Sequence, residues 1–124
     1  MRKILIRAGN VQAAGVLNDS PTADAIWKAL PLAVEVNTWG DEIYFRVPVR
    51  VPEDNGQEVV AMGDLGYWPP GPSFCIFFGP TPMSQGKEIR PASAVNVLGK
   101  MIGDPKAFKV VRAGEIIHVE RVPE

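Results

Sequence analysis

The chain has 124 residues, thirteen basic against fourteen acidic side chains and an apolar fraction of 46%, which is the size and composition of one folded domain with one core over residues 1–124. A net charge of −1 supplies no long-range field for a polyanion, so nucleic acid is not an expected partner. A single cysteine allows no intrachain disulfide, which fits a reducing cytoplasm, and no apolar run reaches the length of a membrane span.

Arg2 and Lys3 precede Ile4-Leu5-Ile6, which Arg7 interrupts at once, too soon for the apolar region of an export signal. Arg2 to Ala8 and Val11 to Leu17 flank Gly9-Asn10 and read as a hairpin. Ser20 is placed to cap a helix whose first residue is Pro21, where the missing N–H is harmless. Ala23, Ile26, Trp27 and Leu30 then recur at helical spacing, and Pro31 ends the run. This is the one helix expected, over Ser20 to Leu30.

Leu32 to Trp39 reads as a strand that turns at Gly40-Asp41 into the clearest alternation in the chain. Ile43, Phe45, Val47, Val49 and Val51 face one way; Glu42, Tyr44, Arg46, Pro48, Arg50 and Pro52 face the other. Pro48 puts this strand at an edge or beside a bulge. Asp54-Asn55-Gly56 suits a tight turn, so Glu58 to Ala61 is expected to return as the second arm of a hairpin. Ser73 to Phe78, Val95 to Ile102 and Glu115 to Val122 complete seven or eight short strands, a pattern of barrels and curled sheets rather than of βαβ units. The expected class is all-β (mainly β) with one short helix.

The chemistry-bearing candidates are few. His118 and Cys75 are the only residues of their types, so no paired metal-ligand spacing exists, and neither a metal nor a cofactor is expected. Cys75 lies in the apolar run Phe74 to Phe78 and reads as a small buried hydrophobe rather than a nucleophile. His118 alternates with Ile117 and Val119 and so belongs on an outer face. Gly63-Asp64-Leu65-Gly66 lacks the lysine and the helix of a phosphate loop.

Most informative is Gly66-Tyr67-Trp68-Pro69-Pro70-Gly71-Pro72, which enters Ser73 to Phe78. Aromatics on a proline-stiffened loop lose little entropy on binding; the same residues equally suit the capping of an open barrel end. Both faces of the following strand are apolar or small, so it needs cover on both. The binding surface is therefore expected to be bordered by Tyr67 and Trp68, with Tyr44 and Phe77 as its floor and Arg46 as its charged edge.

The run Gly63 to Pro82 resembles the signature of a small prokaryotic cyclophilin-like family of unassigned function. Thr22-Ala23, Leu30-Pro31, Trp39 to Phe45, Glu88 to Pro91 and Asn96-Val97 extend the resemblance over nearly the whole chain. It implies a cyclophilin-like β-barrel, a single cyclophilin-like domain. Resemblance to the prolyl isomerases themselves is thinner. Phe45-Arg46-Val47-Pro48 is similar to the run that supplies their catalytic arginine, without its histidine and isoleucine. Gly114 to Val119 is faintly similar to the run that supplies their groove histidine. Three functions follow as expectations: a binding module with an apolar groove for a small molecule or peptide segment, a weak peptidyl-prolyl isomerase using Arg46, or a structural subunit of an oligomer. Isomerase activity is expected to be absent or marginal.

Overall fold

The computed structural model describes residues 2–123. β1 (Lys3–Ala8) and β2 (Val11–Leu17) form the expected hairpin, with Ala8 opposite Val11. Helix α1 (Pro21–Ala29) is capped by the Ser20 hydroxyl, which accepts from the Ala23 N–H, and it buries Thr22, Ala23 and Ile26. Then come β3 (Leu32–Glu35), β4 (Asn37–Thr38), β5 (Glu42–Arg46), β6 (Asp64–Trp68), β7 (Ser73–Phe77), β8 (Asn96–Met101) and β9 (Ile116–Arg121).

All nine described strands join one antiparallel sheet in the order β3-β9-β1-β2-β8-β6-β7-β5-β4. The two ends of that order, β3 and β4, are consecutive in sequence, so the sheet curls into a nearly closed barrel. The stretch expected as one strand, Leu32 to Trp39, is thus two. It breaks at Val36, whose buried side chain marks the crossing from β9 to β5 as pairing partner. Inside the barrel, Ile4, Ile6, Ile43, Phe45, Leu65, Tyr67, Phe74, Ile76, Leu98, Ile117 and Val119 are fully buried, and Phe45 stacks on Phe74 with ring centroids 5.1 Å apart. No described helix is long and apolar enough to cross a membrane.

Two further expectations are corrected. The alternating strand ends at Arg46, and Glu58 to Ala61 does not return beside it; β5 instead pairs with β4 and β7. The parity of the segment survives, since Val47 and Val49 stay buried while Pro48 and Arg50 are exposed. Side chains take over from the missing ladder. The Tyr67 hydroxyl donates to the Val49 carbonyl at 2.7 Å and accepts from the Val51 N–H at 3.3 Å. Asn96 donates to the Pro52 carbonyl and to Thr22 Oγ1, both at 3.0 Å, and accepts from the Asp54 N–H at 2.9 Å. Prolines at 48 and 52 cannot donate to a ladder, which explains why alternation alone overstated the strand.

Buried Asn96 therefore ties together α1, β8 and the chain that follows β5, at Pro52 and Asp54. Asn96→Ala is expected to lower stability by about 2–3 kcal/mol, because it removes three hydrogen bonds at once and strands the buried Thr22 hydroxyl. Urea unfolding checks this, and an unchanged midpoint would contradict it.

The second correction concerns Gly66 to Trp68, expected on a proline-stiffened loop and found instead in β6. This is a central strand, paired on one side with β7 and on the other with β8. The proline-rich loop is then only the turn between β6 and β7.

Candidate functional site

In β5, Glu42 and Tyr44 point away from the core that Ile43 and Phe45 fill; in β7, Ser73, Cys75 and Phe77 do the same. The register sets Tyr44 opposite Cys75 and Glu42 opposite Phe77, which makes the outer face of this pair a small apolar platform. β6 adds Gly66 and Trp68 to the same face. Gly66 lies directly beneath Val95 and Phe77, where a Cβ would come within 3.2 and 3.3 Å of them. A bulge between Leu65 and Gly66 accommodates the close approach.

One end of the platform is set by the β4–β5 turn. The Trp39 N–H donates to the Glu42 carbonyl at 2.9 Å, closing a tight hairpin in which Gly40 takes φ +60°. Only glycine fits there without strain, since a side chain would also meet Pro80 and Thr81 at about 3 Å. The turn sets Trp39 beside Glu42.

The opposite wall is irregular chain from Pro91 to Val95. Gln57 and Val95 exchange backbone hydrogen bonds at 2.8 and 3.0 Å. Trp68 Nε1 donates to Ser93 Oγ at 2.7 Å. At the wall's start, the Thr81 hydroxyl donates to the Arg90 carbonyl, and Ser84 Oγ accepts from the Thr81 and Arg90 N–H groups at 2.9 and 3.0 Å.

Between platform and wall lies a cleft of about 240 Å³. Trp39, Tyr44 and Trp68 give it three aromatic sides; Pro91, Ala92 and Val95 form the wall; Glu42, Ser73 and Cys75 lie at its base. Glu42 is only 6% exposed and makes no ion pair among the described residues. Burial pushes its carboxyl up to about 7, opposed by a hydrogen bond with the Cys75 thiol. Burial, and then the neighbouring carboxylate, push Cys75 well above the usual thiol range. The thiol therefore stays protonated and is not a nucleophile in this setting.

The cleft holds some of the residues expected at a binding surface and not others. Tyr44 and Trp68 line it, and Phe77 is buried in the cluster that supports it, with Cys75, Val60, Ile89 and Val95. Tyr67 does not reach it. As the neighbour of Trp68 in a strand, it points the opposite way into the main core. Arg46 is exposed on the same sheet face but outside the cleft, beside a shallow depression with Val47, Pro48, Arg50 and Pro72. Cys75 and His118 are not brought together, since β7 and β9 are not neighbours in the sheet. Among the described residues no His, Cys, Asp or Glu cluster could hold a metal ion.

Sequence reasoning passed over Glu42 and Trp39. Glu42 did carry a signal: it is an acid on the same face as Tyr44, beside a strand apolar on both sides. The wall at Pro91 to Val95 gave none, because its place depends on side-chain hydrogen bonds.

A family model described as "Cyclophilin-like" matches residues 2–120. The chain belongs to the cyclophilin-like family. The solution structure of a hypothetical protein from Archaeoglobus fulgidus is similar to this cyclophilin-like chain, with a TM-score of 0.83 and 42% sequence identity, covering 98% of this chain and 95% of that one. No curated protein sequence matches significantly. The family and barrel implied by the Gly63 to Pro82 run are the ones found, and the similar structure comes from an archaeon, in keeping with a prokaryotic family.

Proposed function

We propose that this cyclophilin-like protein is a binding module whose occupant, a small molecule or a side chain presented by a peptide segment, enters the cleft between β5, β7 and the Pro91–Val95 wall. One observation carries the reading: three aromatic side chains and a buried carboxyl without an ion-pair partner among the described residues converge on one apolar cleft. Small-ligand sites are commonly built this way, with apolar walls and a few polar groups that fix orientation. At about 240 Å³ the cleft suits a small occupant rather than a folded partner. Arg46 lies outside it, so nothing in this geometry favours the isomerase alternative.

Fragment screening by two-dimensional NMR tests the proposal. Ligands are expected to shift the indole signals of Trp39 and Trp68 together, and Trp68→Ala is expected to weaken binding by about tenfold or more, as for a central aromatic contact. A library that shifts neither indole, or hits that bind Trp68→Ala unchanged, would remove the basis for the proposal.

A further inference from the structure

We propose that the occupant of this cleft is a small organic cation of the alkylammonium class, held by its charge against the Glu42 carboxylate and by its alkyl surface against Trp39, Tyr44 and Trp68. The inference rests on the binding reading above and specifies its ligand. Glu42 is an acid taken almost wholly out of water and given no cation by the protein. A largely buried carboxylate without a cationic partner is unfavourable, and a cation entering the cleft would supply that partner. The aromatic sides suit the same guest. Ring faces are the negative parts of an aromatic quadrupole, and alkylated ammonium groups bind them well because they surrender little hydration.

The charges around the cleft are consistent with this. Its titratable lining consists of Glu42, Tyr44 and Cys75, and the Pro91–Val95 wall adds none. Asp41, next to Glu42, turns over Gly79, and its carboxylate lies 3.7 Å from Lys109. Glu88 and Arg90, ahead of the wall, are paired with each other at 2.6 Å. Arg46 lies outside the cleft. No described basic side chain pairs with Glu42; the nearest charge on this face is Arg46, whose guanidinium lies by Gly71 beside the Trp68 ring. The shared chemistry of amine and acid also fixes a pH sign. A quaternary ammonium keeps its charge at every pH, so its binding follows Glu42 alone and strengthens as the pH rises through about 7.

Choline and its neutral carbon isostere, in which a tert-butyl group replaces trimethylammonium, are the probes, titrated into the full chain with tryptophan fluorescence and calorimetry as readouts. At about pH 8.5 choline is expected to bind about tenfold or more tightly than the isostere, a preference that shrinks toward about pH 5.5 as Glu42 protonates. Glu42→Gln is expected to abolish both the preference and its pH dependence while still binding the isostere. Equal binding of the two probes, or tighter binding at lower pH as for a protonated acid donating to a neutral ligand, would overturn the cation assignment and leave the binding cleft standing. Binding of neither probe would overturn the cation assignment, and the fragment screen then decides the cleft separately. A trimethyllysine peptide binding far more tightly than choline would move the occupant from a free small molecule to a peptide side chain and so overturn the small-molecule assignment.

Discussion

Glu42→Gln is expected to stabilise the protein by about 3 kcal/mol at about pH 8 and to change little at about pH 4. Burial lifts the carboxyl from an ordinary 4.5 to about 7. Below the lower value both folded and unfolded chains hold the proton, and the acid behaves much as a glutamine would. Between the two values the unfolded chain releases the proton while the folded chain keeps it, so stability falls as pH rises. Above about 7 the full difference has been lost, and it is equivalent to about 3 kcal/mol. Urea unfolding of both proteins across this range checks it. A stability difference that does not vary with pH would show that Glu42 is better solvated than its surroundings indicate. Such a cost at neutral pH is the result that the proposed binding role of Glu42 predicts.

The second large effect separates two neighbours. Tyr67→Ala is expected to lose about 3–5 kcal/mol, since it empties a fully buried ring position. Tyr67→Phe is expected to lose about 1–2 kcal/mol, because the Val49 carbonyl is left without its donor. Trp68→Ala is expected to lose only about 1–2 kcal/mol, because the indole is half-buried and its hydrogen bond reaches an exposed serine. On the proposed binding role the order is expected to reverse for a fragment that shifts the Trp68 indole: Tyr67→Phe keeps its affinity and Trp68→Ala weakens it by about tenfold or more. Chemical denaturation together with a ligand titration measures both. A Trp68→Ala variant as unstable as Tyr67→Ala would assign the indole to the framework instead.

The contrast between Tyr67 and Trp68 shows what was legible in the chain and what was not. Period-two alternation correctly put Glu42, Tyr44 and Arg46 on one face and separated Phe74 and Ile76 from Cys75 and Phe77. Applied to Leu65-Gly66-Tyr67-Trp68, the same rule would have sent the tyrosine inward. The proline cluster that follows made the segment look like a loop, and two glycines hid the alternation. The far wall was out of reach for a different reason. Pro91 to Val95 has no periodicity, and its position comes from side chains and backbone outside it: Thr81 and Ser84 just upstream, and Gln57 and Trp68 far from it in sequence. The Asp54-Asn55-Gly56 turn misled in the opposite sense: Asn55 does take a positive φ of 52°, but the arm before it cannot build a ladder across two prolines.

The place of β9 between β1 and β3 has a kinetic consequence. Ile4 pairs with Arg121 and Ala8 with Ile117, while Leu32 pairs with Val119, so the last strand in the sequence fills the space between the first and the third. Until it docks, β1 and β3 each present an unpaired edge. Closure across more than a hundred residues must precede the contacts that reward it, which puts folding among the slow, high-contact-order reactions, on the order of milliseconds to seconds. A chain emerging from the ribosome therefore carries two open strand edges until its C-terminal segment is free, and this is the interval in which it is most exposed to pairing with another chain.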